Sequence, residues 1–276
     1  MCIRDRLNCD GGKAVIGGSN NALTVTGKCS DLDVPGSNNK ITGTLDCDGG
    51  KAAISGSNNA LIVAGKCSDL NVPGSNNKIT GTRDCDGGKA AISGSNNALI
   101  VAGKCSDLNV TGSNNKITGT RDCDGGKAAI RGSNIELTIT GNCSSLDLVG
   151  TNNKITATLN CDGGKAAIRG SNNEVTITGK CSDIDVTGVN NKITGTLDCD
   201  GGKAAIKGAN NEVTITGKCS NLDLGGSVNN VTIEFGQAAT VRISGVVNAI
   251  VWSSADGKPP TINDMGIRNK LTQRVQ

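Results

Sequence analysis

Residues 161–198 read CDGGKAAIRGSNNEVTITGK and then CSDIDVTGVNNKITGTLD, two versions of one text. Each begins at a cysteine (Cys161, Cys181), runs through a short apolar strand, and turns at Gly-x-Asn-Asn. Each then continues through Thr-x-Thr into a second turn. A Gly-Gly insertion beside the cysteine makes the first version longer. In Glu174-Val175-Thr176-Ile177-Thr178 the two aliphatic residues share one face and the polar three share the other. This is the period of two of a half-buried strand. Leu70-Asn71-Val72-Pro73 alternates in the same way. At each Gly-Ser-Asn-Asn, glycine and asparagine accept left-handed backbone, so the segment predicts a corner. Pro35 and Pro73 fall at strand ends, where a missing donor is tolerated. No window carries helical spacing, and glycine interrupts every few residues.

The same text fills the chain. Cys9, Cys47, Cys85, Cys123, Cys161 and Cys199 lie 38 residues apart, and so do Cys29, Cys67, Cys105, Cys143, Cys181 and Cys219. The two sets interleave at steps of 20 and 18. Segments 48–85 and 86–123 differ only at Pro73 against Thr111, as after recent tandem duplication. A repeat of this length, rich in strands, predicts an all-β parallel β-solenoid. About 14 coils of 18–20 residues are expected, paired into 38-residue units. Twelve carry a cysteine within residues 7–236, and divergent coils within 237–276 close the chain. Phe235, Trp252 and Pro259-Pro260 are expected to cap the stack, since terminal repeats must cover an open rung. At ~4.8 Å per coil the stack would be a rod on the order of 65 Å long. Val175, Ile177, Ile184 and Val186 should point inward, and Thr176, Thr178, Asp185 and Thr187 outward. Asn172-Asn173 and their equivalents should form stacked ladders.

The opening residues 1–6, MCIRDR, stand outside this text and resemble the translation of a sequencing adaptor. Leu7-Asn8-Cys9-Asp10 repeats Leu159-Asn160-Cys161-Asp162, so the natural sequence is expected to begin in mid-coil. Any signal peptide would then lie outside this chain, and its cysteines would number 12 instead of 13. Forty glycines, one Trp, one Phe and no Tyr or His cannot fill a broad globular core. A thin interior of stacked aliphatic residues needs nothing larger. The net charge is +3, or +2 once Arg4, Asp5 and Arg6 with their single net positive charge are set aside. That balance gives no electrostatic case for nucleic acid or an anionic membrane. Apolar runs as short as Ala249–Trp252 span no bilayer.

Chemistry finds few footholds. Cysteines stacked one per coil stand close enough for disulfides, and an even number in a secreted chain permits six bridges. The competing expectation is a ladder of free thiols acting as small buried hydrophobes. The free-thiol ladder is the expectation adopted, because every rung looks equivalent and nothing visible chooses a pairing. No Cys-x-x-Cys and no histidine suggest a metal site. Asp-Cys-Asp-Gly-Gly at 46–50, 84–88, 122–126 and 198–202 resembles a calcium loop, but a lysine follows each and no acidic ligand lies downstream. Turn chemistry explains it, and no metal or other cofactor is assigned. Glu136, Lys154, Glu174, Lys192 and Glu212 share one coil position and predict a solvent-facing ladder of opposite charges. Catalysis lacks its commonest base, and the carboxylates repeat in every unit instead of forming one unusual site.

Thr-x-Thr recurs as Thr24/Thr26, Thr42/Thr44, Thr80/Thr82, Thr118/Thr120, Thr138/Thr140, Thr156/Thr158, Thr176/Thr178, Thr194/Thr196 and Thr214/Thr216. Ile62/Ala64, Ile100/Ala102 and Thr232/Glu234 are the gaps. On a solenoid these pairs stack into two columns, ~6.7 Å apart along the strand and ~4.8 Å between coils. The array resembles the ice-binding face of β-solenoid antifreeze proteins. The bland alternative is that threonine is a good outward residue on any strand.

The Gly-Ser-Asn-Asn-x-Val/Ile-Thr strands and Gly-x-Cys turns, with the closing Asn248-x-Ile250-Val251-Trp252, Asp256-Gly-Lys-Pro-Pro-Thr-Ile262 and Gly266-x-x-Asn269-x-Leu271, resemble domain of unknown function 3060. That resemblance covers nearly everything from residue 9. It implies a secreted or lipid-anchored bacterial protein and carries over no active site. Three function classes follow in order: a non-enzymatic extracellular or cell-surface structural or adhesive rod, an ice-binding protein, and a carbohydrate-active enzyme on a β-helix. The expected partner is an extended or periodic surface, such as ice or a cell-surface polymer.

Overall fold

The inward and outward pattern of the strands is realised in a computed structural model, which describes residues 4–9, 11–44, 50–66, 68–84, 88–104, 106–118, 121–122, 126–141, 143–160, 164–195, 197–199, 201–254 and 256–274. The chain divides into two compact units, Met1–Gly141 and Asn142–Gln276. In each, every coil contributes one strand to a lysine–aspartate face and one to a threonine face. Strands pair in parallel with the equivalent strand of the next coil.

In the first unit the threonine face runs through Ala22–Thr26, Lys40–Thr44, Ala60–Lys66, Lys78–Asp84, Ala98–Lys104 and Lys116–Thr118. Its register keeps Ile41, Leu61, Ile79, Leu99, Ile117 and Leu137 in one inward column. All six are at most 1% exposed. In the second unit the column is Ile155, Val175, Ile193, Val213, Val231 and Ile250. The opposite strands supply Leu146, Ala166, Ile184, Ala204 and Leu222. Each fully buried Val, Leu or Ile stabilises by roughly 1.5–3 kcal/mol, which suffices where large aromatics are missing. Val175, Ile177, Ile184 and Val186 lie inside, and Thr176, Thr178, Asp185 and Thr187 face outward, as the alternation predicts.

The corners explain the asparagines. The first of each pair, from Asn20 to Asn210, holds φ between 54° and 62° and lies at the surface. The second, from Asn39 to Asn211, is buried and continues a ladder, in which Ile135 takes the asparagine's place in one coil. The backbone amide of Asn191 donates to Asn211 Oδ1 (3.1 Å), its Nδ2 donates to Gly170 O (2.8 Å), and its own Oδ1 accepts from the Asn173 amide (3.1 Å). In the closing coils the left-handed corner falls on Val228 and Val247, both at φ 59°. A β-branched side chain is strained there. Val247→Asn should therefore raise stability by about 1 kcal/mol in denaturant unfolding; a loss would show that the corner is held by packing of the valine. Glycine is obligatory beside the ladder at Gly188, where φ is +138° and an added Cβ would run into the Gly170 carbonyl.

Two expectations need correction. The solenoid has about 12 turns, slightly fewer than the 14 coils expected. In the closing segment Thr261–Asp264 and Lys270–Gln273 pair in register, but Ile262, Met265 and Ile267 stay exposed. Phe235 and Trp252 lie in the interior, with ring centroids 6.5 Å apart. Phe235 stands in register with Cys219, so the ring fills the place that cysteine holds in the coil before.

The cysteines differ from the expected thiol ladder as well. Cys9 is bonded to Cys29 and Cys199 to Cys219, with Cα atoms 4.9 and 4.8 Å apart. Cys143 and Cys181 are also disulfide-bonded. Cys9–Cys29 and Cys199–Cys219 are pairs across the 20-residue step, not rungs of a continuous ladder. The Gly-Gly insertion lies inside that step, where Gly201 turns at φ +80° and the Gly202 amide donates to Cys199 O (2.7 Å). Cys47, Cys67, Cys85, Cys105, Cys123 and Cys161 lie outside the described residues.

Candidate functional site

The threonine face is best formed in the second unit. Thr156, Thr176, Thr194, Thr214 and Thr232 pair rung by rung in one column. Thr178 donates to Thr158 Oγ1 (3.2 Å), and the Thr176 and Thr194 hydroxyls lie 3.4 Å apart. Hydroxyls that bond along a column are held in fixed orientations, and the γ-methyls between them are held too. Thr216 donates to Gly195 O (3.4 Å) at a register shift, where the second column ends. Beyond it the surface hollows into a groove of about 360 Å³ lined by Thr232, Glu234, Ser253 and Arg274. Lys154, Glu174, Lys192 and Glu212 follow one another in register along the border, with Lys192 and Glu212 4.0 Å apart. Such exposed pairs contribute little stability but leave the border electrically balanced.

In the first unit Thr24, Thr42, Thr80, Thr118 and Thr138 hold the same position, and Ile62 and Ile100 interrupt them. Thr26 and Thr140 are exposed. The side chains of Thr44 and Thr82 and the whole of Thr120 and Thr196 lie outside the described residues. Glu136 pairs with Lys116 at 3.0 Å.

The other face is occupied with its own charges. In the first unit Lys13, Lys51 and Lys89 reach Asp33, Asp69 and Asp107 at 3.5–3.6 Å. In the second, Lys165 bonds Asp185 (3.0 Å), Arg169 bonds Asp147 (2.9 Å), and Lys203 lies 3.5 Å from Asp223. Burial pushes the Asp185 carboxyl up, but the Lys165 hydrogen bond and charge, the Thr187 hydroxyl and Arg169 together hold it below its usual value of 3.8. A depressed folded-state value stabilises at neutral pH, and that contribution fades as pH falls through the lowered value. The stability gap between the parent and Asp185→Asn should therefore be present at pH 7 and close towards pH 2. A gap that stays constant over that range would show that the carboxylate is not held by these cations. Among the described residues no three metal-ligating side chains converge, and no helix is long and apolar enough to cross a membrane.

The signature of a family described as "Protein of unknown function (DUF3060)" matches residues 16–44, 54–83, 92–121, 168–196 and 206–267. No curated protein matches the chain, and no solved structure does.

Proposed function

We propose, from the premise that the chain belongs to the family of proteins of unknown function DUF3060, that it is a non-enzymatic extracellular repeat protein that works through a repetitive binding surface. The observation that carries this reading is the unbroken register of Thr156, Thr176, Thr194, Thr214 and Thr232. Five equivalent groups at rung spacing meet an ordered, extended surface far better than they meet a small molecule. The disulfides at Cys9–Cys29 and Cys199–Cys219 support an oxidising compartment, where such bonds persist. The acidic groups support a role without chemistry, since they recur in every unit and pair with lysine or arginine.

Ice is the ordered surface that this face suits most specifically. Methyl and hydroxyl groups ~4.8 Å apart between rungs and ~6.7 Å apart along a strand lie near repeats of its lattice. The test is thermal hysteresis of the oxidised protein beside Thr176→Lys and Thr194→Lys, each in the middle of the column, and Thr187→Lys on the opposite face. The parent and Thr187→Lys should arrest ice growth, and the two column variants should lose most of that activity. Equal activity in all four, or none in the parent, would return the chain to a purely structural role.

A further inference from the structure

We propose that the first unit carries a second, chemically different binding surface, made for an extended acidic polysaccharide. Its threonine face alternates row by row. Thr42, Ile62, Thr80, Ile100 and Thr118 stand in register, and beside them stand Lys40, Ala60, Lys78, Ala98 and Lys116. Cationic threonine rows thus alternate with apolar rows, and the pattern repeats every second rung, ~9.6 Å. The isoleucines are open to solvent, Ile62 at 57% and Ile100 at 54%. Outward isoleucines in consecutive repeats, on a strand position otherwise held by threonine, make a striped apolar surface instead of a scattered residue.

Lys116 is paired with Glu136 at 3.0 Å, but the other two lysines distinguish this surface from the opposite one. On the opposite face Lys13, Lys51 and Lys89 each have an aspartate partner. Lys40 and Lys78 are exposed and have no carboxylate within 4.0 Å among the described residues. A ligand matching these features carries one anion and one apolar face per period of two rungs. An extended peptide repeats its side chains every ~6.7 Å and falls out of step. A nucleic acid strand brings a phosphate every ~3.4 Å, far more charge than these sparse cations neutralise. A polysaccharide with one carboxylate per disaccharide keeps pace. Its carboxylates meet Lys40 and Lys78, and the C–H face of the intervening sugar lies on Ile62 or Ile100. The Thr42 and Thr80 hydroxyls donate inward to Leu23 O and Leu61 O, at 3.5 and 3.3 Å, and leave lone pairs free to accept from sugar hydroxyls.

The experiment is calorimetric titration of the full oxidised chain with hyaluronan oligosaccharides, which carry one carboxylate per disaccharide. Uncharged chitin oligosaccharides of equal length and poly-glutamate serve as comparisons. Binding should weaken with salt and exceed that of both comparisons. Ile62→Ser with Ile100→Ser, and separately Lys40→Gln with Lys78→Gln, should each weaken it about tenfold. All four positions face solvent, so the variants should fold. Thr176→Lys in the second unit should bind hyaluronan as the parent does, which separates this surface from the ice-directed one. No binding, equal binding of chitin oligosaccharides or poly-glutamate, or full binding by both double variants would overturn the proposal.

Discussion

Replacing Cys199 and Cys219 together by alanine should lower the stability of the second unit by about 3 kcal/mol, the entropy that a bridge removes from an unfolded loop of this length. Reduction of the parent by dithiothreitol should act in the same direction and further, because Cys143 and Cys181 are bonded too. The loss should be greater than for any exposed ion pair. Unfolding in guanidinium under oxidising and reducing conditions measures it. Peptide mapping without reduction should recover Cys199 joined to Cys219. Identical unfolding curves before and after reduction, or Cys199 recovered as a thiol, would contradict the pairing. A repeat stack depends on each interface between neighbours, so a bridge that ties two coils also holds the threonine rungs they carry.

The buried asparagine ladder should be even less forgiving. Asn191→Ala removes the acceptor of the Asn173 amide (3.1 Å) and of Asn173 Nδ2 (3.0 Å), and the donor to Gly170 O (2.8 Å). Each buried polar group left unsatisfied costs about 1–3 kcal/mol, so a loss of about 3–5 kcal/mol is expected. Asn190→Ala, one residue earlier, should cost only about 1 kcal/mol, the price of a left-handed conformation at an exposed position without asparagine. Urea unfolding of the two variants makes the comparison, and a larger loss at 190 than at 191 would refute the division of labour between the two asparagines.

Much of this fold is written in its periodicity. The alternation in 174–178 and 183–187 places Val175, Ile177, Ile184 and Val186 inside because a one-residue slip would turn all four to solvent. The corner asparagines are legible because few residues accept φ near 57°. The cysteine pairing was harder to read, since stacking brings both neighbours of a cysteine to similar distances. The signal was the step of 20 against 18: the longer step contains the Gly-Gly turn, and the bonds span it. The exposure of Ile262 and Ile267 is hidden because Thr261–Asp264 keeps the repeat's pattern while nothing in that pattern reports burial. The Thr-x-Thr spacing revealed the threonine column. The contrast between the units is visible as the gaps at Ile62 and Ile100, but its meaning depends on the exposure of those residues and on which lysines have no carboxylate within 4.0 Å among the described residues.

On the proposed function, the threonine rungs of the second unit bind an ordered surface as a set. The most direct measurement is to grow a single ice crystal slowly in fluorescently labelled, oxidised protein and image where the label goes. Label should coat one family of crystal planes and be carried into the ice, and Thr194→Lys should abolish the coating. Parent protein excluded from every plane, like an ordinary solute, would contradict it.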